Sequence, residues 1–170
     1  VGLIKRAQNI YGSIFTVSGV ICAFRKRALA DAGWWSPAAL TDDVEVTWRM
    51  QLAGWRVAFE PKALCWILMP ETLKGLWRQR LRWAEGGMQS VLAATPVMLR
   101  RRTWRLLPVW GNFMVSVVWA YAMLIGLGLG LVSALFPQWA GEPLGFGAIP
   151  QWWGTVLALT YLLQSVVSVA

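Results

Sequence analysis

Residues 109–136 read VWGNFMVSVVWAYAMLIGLGLGLVSALF, 28 residues without a charge. About 20 apolar residues suffice to cross a bilayer as a helix, so this run predicts a membrane span. Gly126, Gly128 and Gly130 do not oppose it, because glycine is commoner in membrane helices than in soluble ones. The bland alternative is the core helix of a soluble protein. Downstream, Trp152 to Ala170 is a second uncharged run of 19 residues, read as a span with its end cut off. The connection carries Pro137, Pro143 and Pro150, with no Lys or Arg, and reads as a loop. Upstream, Arg100, Arg101, Arg102 and Arg105 flank the first run. A basic flank marks the cytoplasmic side of a span, so the front of the chain is expected in the cytoplasm and the loop outside. Trp104, Trp110, Trp139, Trp152 and Trp153 stand at the span ends, as an aromatic belt would.

Composition divides the chain the same way. Hydrophobic residues make up 57% of its 170 residues and charged ones 14%, with a net charge of +8. A disordered chain is excluded, and a wholly soluble one fits poorly. All 16 basic residues lie at or before Arg105, and so do seven of the eight acidic ones. The front is therefore basic and mixed, and the tail almost uncharged. The 13 Trp suit membrane interfaces and sugar-stacking sites better than an ordinary core. With no His, an acid, base or metal ligand must be a carboxylate, Lys, Tyr or Cys. Cys22 and Cys65 each lie in an apolar run and read as reduced, buried packing residues without zinc spacing. The chain opens on Val1 and stops inside an apolar run, and is expected to be an interior piece of a longer protein.

The front reads as alternating strand and helix. Residues 14–24 (IFTVSGVICAF) predict a strand with a turn at Ser18-Gly19. Residues 25–32 predict a short helix stopped by Gly33. Thr41 is a good N-cap residue for a helix that ends at Gly54, with Asp42 and Asp43 in its first turn. Arg56 to Glu60 predicts another strand, closed by Pro61. The expected class is α/β, with too few elements for a complete sheet. Residues 71–94 repeat Leu73, Leu76, Trp77, Leu81 and Ala84 at helical spacing, opposite Lys74, Arg78, Arg80, Arg82 and Glu85. A basic amphipathic helix beside a span reads as interfacial, and Gly86-Gly87 is expected to bend or end it.

Two groups of residues could carry chemistry. Thr41-Asp42-Asp43 reads as a helix cap, or as a carboxylate at a loop–helix junction able to take a proton from a hydroxyl. Gln79, Arg82 and Trp83 of Gln79-Arg80-Leu81-Arg82-Trp83 share one helical face. They could anchor lipid headgroups, or bind phosphate oxygens through Arg and a sugar face through Trp.

The triplet, followed about 35 residues later by Gln-Arg-Leu-Arg-Trp and then a span, resembles the processive family-2 glycosyltransferases. These are the cellulose, chitin, hyaluronan and poly-N-acetylglucosamine synthases. Residues 17–35 (VSGVICAFRKRALADAGWW) and 59–87 (FEPKALCWILMPETLKGLWRQRLRWAEGG) look most like the bacterial branch that makes β-1,6-linked poly-N-acetylglucosamine. The resemblance implies the C-terminal half of a GT-A-type nucleotide-sugar domain, then an interfacial helix and transmembrane helices. The implied division is 1–69 for the cytoplasmic domain, 70–107 for the interfacial and juxtamembrane segment, and 108–170 for the membrane region.

The resemblance also implies roles. Asp43 matches the base that deprotonates the acceptor hydroxyl, and Asp42 stands where the family has Glu. Gln79, Arg82 and Trp83 match the motif at the acceptor end of the cleft, with Arg82 near the diphosphate and Arg80 assisting. Ser18 and Gly19 match the segment that approaches the acceptor sugar. The implied substrates are UDP-N-acetylglucosamine and the growing polysaccharide, at a bacterial inner membrane. The lipid bilayer and a small membrane subunit are the other implied partners, and nucleic acid is not one. The implied cofactor is Mg²⁺ or Mn²⁺, with no ligand assigned here. Its Asp-x-Asp motif is expected upstream, because Asp31 is the only Asp before Asp42, so this segment alone is expected to be inactive. A different processive β-glycan synthase and a non-enzymatic membrane scaffold or transporter piece are the alternatives.

Overall fold

The computed structural model describes residues 2–135, so the second apolar run, its preceding loop and Trp139, Trp152 and Trp153 lie outside it. The described helices are α1 (Gly2–Ile10), α2 (Lys26–Asp31), α3 (Asp42–Leu52), α4 (Leu73–Arg100) and α5 (Leu107–Leu135), with a 3-10 turn at Trp104–Leu106. The chain divides into two compact units, Val1–Met114 and Val115–Ala170.

Both short helices end where their glycines require. After α2, Gly33 has φ 79°, and the Trp34 and Gly33 amides donate to Leu29 O (2.8 Å) and Ala30 O (3.0 Å). After α3, Gly54 has φ 94°, and the Trp55 and Gly54 amides donate to Met50 O (3.0 Å) and Gln51 O (3.1 Å). Glycine adopts that left-handed conformation without a Cβ penalty.

α3 is the centre of the first unit. Val44 and Trp48, one turn apart, pack with Val91, Ala94 and Met98 of α4 and with Leu106 and Val109. Val46 and Met50 pack on another side with Ala28, Leu29 and Ala32 of the α2 region. Trp48 is 1% exposed, and truncating a buried side chain of that size costs about 3–5 kcal/mol. The ends of α3 match its dipole. Asp42, Asp43 and Glu45 occupy the first turn. At the far end, Arg105 Nη2 donates to Gln51 O and Trp55 O (both 2.8 Å) and Arg101 Nη1 to Leu52 O (3.3 Å). Two of the four arginines that flank the apolar run thus cap α3.

α4 differs from its expected form. It starts on Thr72, whose Oγ1 accepts from the Gly75 amide (3.1 Å), and continues through Gly86-Gly87 to Arg100. Those glycines do not end it, and they sit where α4 makes tertiary contact. A Cβ on Gly86 would lie 2.4 Å from Thr41 Oγ1 and 2.6 Å from Thr41 Cγ2. Only a bare Cα lets α4 approach Thr41. The interfacial expectation therefore meets two different surroundings. Leu73, Trp77 and Leu81 are exposed, whereas Gly86, Gly87, Ser90, Val91, Ala94 and Met98 are buried in the unit.

No strand forms at 14–24 or 56–60; among the described residues the one isolated bridge is Ser18 with Ile21. A strand needs a ladder partner, and no described extended segment supplies one. Side chains stand in for it. Gln51 Oε1 accepts from Ile14 N (2.9 Å) and its Nε2 donates to Ile14 O (2.8 Å), as a neighbouring peptide would. Gln8 Oε1 accepts from Phe15 N (3.1 Å) and Thr47 Oγ1 from Val17 N (3.1 Å). The α/β expectation is met here only by its helices. The turn at Ser18-Gly19 is present, closed by Ile21 N on Ser18 O (3.1 Å).

Two smaller expectations change. Cys22 and Cys65 are free, and both are exposed rather than packed. Trp110 is half-buried against the core, with Nε1 donating to Thr95 Oγ1 (2.9 Å), so it serves packing rather than an aromatic belt. In the second unit, Val115, Val118, Tyr121, Leu124 and Leu127 are exposed along α5. Among the described residues Trp104–Gly128 is long and apolar enough to cross a membrane, with mean hydropathy 1.5.

Three substitutions in the full-length protein test this packing by chemical denaturation. Gly86→Ala should lose about 1–2 kcal/mol, overpacking outweighing the gain in helix propensity. Gly87→Ala, whose Cβ meets its first atom at 3.7 Å, should be neutral or gain up to about 1 kcal/mol. Gln51→Leu leaves both Ile14 backbone groups without partners and should cost about 3 kcal/mol.

Candidate functional site

Thr41, Asp42 and Asp43 open α3 from a loop held by α4. Thr41 occupies the N-cap position, and its carbonyl accepts from Glu45 N (3.1 Å), but its side chain caps nothing. That hydroxyl is buried against Gly86 with no protein hydrogen-bond partner. The cap reading of the triplet thus holds for the backbone and fails for the Thr41 side chain. Asp42 is exposed and Asp43 half-buried. Asp43 Oδ1 accepts from Val44 N (2.9 Å), and the Asp43 carbonyl accepts from the Thr47 hydroxyl, which also receives Val17 N.

That chain of bonds brings the Ser18-Gly19 turn to Asp43. A Cβ on Gly19 would lie 3.5 Å from Asp43 Cβ and 3.7 Å from its Oδ2. Although Cys22 is exposed by surface area, partial desolvation by its neighbours pushes its thiol above the ordinary pKa, and the charges of Asp43 and then Asp42 push it the same way. Burial holds the Lys5 ammonium below its ordinary pKa, with Asp43 opposing the shift. Neither Lys5 nor Cys22 was singled out by spacing, since a lone Lys in a helix and a lone Cys in an apolar run carry no motif.

The second group divides its tasks. Arg82 Nη1 donates to Leu40 O (3.1 Å), one residue before the triplet. The Arg80 guanidinium lies 4.8 Å from the Trp83 ring centroid, a cation–π pair. Gln79 is half-buried, and its Oε1 is shielded without a protein hydrogen-bond partner. Trp83 is 42% exposed, leaving indole surface free to stack. The shared face of Gln79, Arg82 and Trp83 therefore does not act as one patch: Arg82 turns to the Leu40 loop, and Trp83 pairs with Arg80.

A cavity of about 830 Å³ adjoins this region, lined by Lys5, Ser18, Cys22, Arg25 and Arg56 among others. Neither Asp42 nor Asp43 lines it. Ile14, Phe24, Met50, Trp55 and Phe59 make its walls largely apolar, which suits packing better than a polyhydroxylated sugar. The chemistry is therefore sought at Asp43, where the Ser18-Gly19 turn, the triplet and the loop held by Arg82 meet. A carboxylate so placed can accept a proton; the Arg82 guanidinium beside Leu40 and the exposed Trp83 indole are groups able to hold an anion and a sugar face. Among the described residues no group of three or more Cys, Asp or Glu could hold a metal ion.

A carboxylate at the start of α3 and an Arg-Trp pair on α4, the helix packed against it, make up the candidate site. The chain belongs to the family described as glycosyl transferase family group 2, which matches residues 1–167. Within it, the chain is 40% identical over 128 residues to the poly-β-1,6-N-acetyl-D-glucosamine synthase of Staphylococcus aureus (strain COL), a match covering 75% of this chain and 31% of that one. It is 38% identical over 134 residues to the Staphylococcus epidermidis synthase of the same name, covering 79% of this chain and 32% of that one. The chain thus spans about a third of the length of these curated relatives. No solved structure matches it.

The position of Cys22 offers a chemical check. At pH 8 iodoacetamide should label it more slowly than an unperturbed thiol, because the thiolate is the nucleophile. Asp43→Asn should speed labelling by about two- to threefold by removing one nearby negative charge. Mass spectrometry of the labelled peptide gives the rate.

Proposed function

We propose that the full-length protein is a membrane-bound, inverting, processive glycosyltransferase. It adds N-acetylglucosamine from UDP-N-acetylglucosamine to a growing β-1,6-linked polysaccharide. The observation that carries this reading is the junction of the two motifs: Arg82 holds the carbonyl of Leu40, immediately before Thr41-Asp42-Asp43. The names of the staphylococcal relatives support the choice of sugar and linkage.

In this reading the Asp43 carboxylate takes the proton of the acceptor's 6-hydroxyl. The oxygen attacks C1 of the donor sugar from the face opposite the diphosphate. The new C1–O bond forms as the bond from C1 to the phosphate oxygen breaks, and UDP departs with that electron pair. Attack from the opposite face inverts the α-linked donor to a β-linked product. Ser18 and Gly19 line the approach of the acceptor, and Trp83, braced by Arg80, stacks on its terminal sugar. Gln79 contributes its free amide oxygen to a sugar hydroxyl, and Arg82 lies toward the diphosphate. Asp42 adds negative charge beside the base.

A divalent Mg²⁺ or Mn²⁺ does not fit a ligand set among the described residues, and no step above runs through it. Its ligands are proposed to lie elsewhere in the protein. The apolar α5 segment suits a bilayer, and we place the protein in the bacterial inner membrane as a multi-pass protein. The triplet and α4 would face the cytoplasm, where the nucleotide sugar is supplied, and a small membrane subunit would fit beside the spans.

Membranes holding the full-length protein test this with labelled UDP-N-acetylglucosamine and Mg²⁺, beside UDP-glucose. Polymer should form from the first donor only, and Asp43→Asn should lower incorporation at least about 100-fold while expression persists. Polymer from glucose would keep the mechanism and overturn the sugar. Wild-type incorporation by Asp43→Asn would remove Asp43 as the base.

A further inference from the structure

We propose that Gln89 is a positioning residue for Asp43, acting through the backbone of the loop that leads into α3. The inference rests on the reading of Asp43 as the base. Gln89 Oε1 accepts from Leu40 N (3.3 Å), and its Nε2 donates to Ala38 O (3.4 Å). Arg82 Nη1 donates to Leu40 O (3.1 Å). Both peptide groups of Leu40 are thus held by side chains of α4. Arg82, Gly86 and Gln89 follow one another at four- and three-residue steps, so they form one face of that helix. The face grips Ala38 and Leu40 at its two ends and presses its bare middle on Thr41.

The path of Leu40 and Thr41 decides where the first turn of α3 begins, and therefore where the Asp43 carboxylate stands. A displacement of about 1 Å at a reacting group can lower a rate by about 100-fold. Gln89 suits the task because an amide carries a donor and an acceptor on one rigid plane. It is also exposed, so replacing it opens no cavity in the core. A residue that aims a base should govern the chemical step and leave ground-state donor binding alone. It should also lose its effect once the base is gone.

The test uses the full-length protein in membranes with UDP-N-acetylglucosamine as donor. Wild type, Gln89→Leu, Gln89→Glu, Asp43→Asn and the Asp43→Asn/Gln89→Leu double variant are compared. Gln89→Leu, which lacks both hydrogen-bonding groups, should lower kcat about 10-fold with KM for the donor within about twofold and an unchanged melting temperature. Gln89→Glu keeps the acceptor for Leu40 N–H and loses the donor, so its kcat should fall about threefold. The double variant should be no slower than Asp43→Asn alone. A Gln89→Leu kcat within twofold of wild type overturns the proposal, as does a loss that tracks a fall in melting temperature, or a double variant slower than Asp43→Asn by the full Gln89→Leu factor. If Gln89→Leu does not accumulate, Gln89→Glu decides, and a wild-type kcat there overturns it. An inactive wild type, or an active Asp43→Asn, overturns the assignment of the base and this proposal with it. An active wild type, an inactive Asp43→Asn and an unaffected Gln89→Leu overturn this proposal alone.

Discussion

The burial of α3 on nearly every side is the constraint that orders the first unit. An eleven-residue helix cannot hide Val44, Val46, Trp48 and Met50 without partners on two opposed faces. α2 covers one and α4 the other. The fully buried Thr47 and Gln51 lie between these apolar stripes, so their polar groups must be answered inside the protein. They are answered by the backbone of Ile14 and Val17, and by α3 itself. One demand for polar satisfaction thereby draws the Ser18-Gly19 turn to the start of the same helix, beside Asp43. Core packing and the candidate site are two results of a single arrangement.

Much of this was legible in the sequence because the signals are local. Gly33 and Gly54 announce helix ends, and the left-handed conformations at both positions are the reason. Asp42 and Asp43 announce a helix start, and the apolar run announces α5. The strands expected at 14–24 and 56–60 are absent among the described residues for a non-local reason. β-branched composition states a preference for extended backbone, whereas a strand also needs a neighbour to complete its hydrogen bonds. Residues 14, 15 and 17 find side-chain amides and a hydroxyl in place of a ladder.

The candidate site was legible as two motifs and illegible as a geometry. Gly86-Gly87 looked like a break because glycine lowers helix propensity, but the pair sits where α4 meets Thr41 and the two rings Phe15 and Phe113. Gln89 carries no motif, and its partners lie about 50 residues away along the chain. Charge patterning hides a contact in the same way. Arg101 and Arg105 count toward a basic flank in a one-dimensional reading, while in three dimensions their guanidinium groups neutralise the negative end of α3.

The contact between Gly86 and Thr41 also bears on how such a chain can drift. Besides the two nearer atoms, the Thr41 Cβ itself would lie 2.9 Å from a Cβ at position 86. Shortening Thr41 to Ala therefore leaves a conflict with any side chain placed opposite. The interface has room for one Cβ between the two positions, and it is carried by residue 41. Moving it to residue 86 passes either through glycine at both places, which loosens the start of α3, or through a crowded pair, which costs packing. Mutational paths at these two positions are consequently coupled, and one-step replacements of Gly86 lead downhill in stability even though they improve the local helix former.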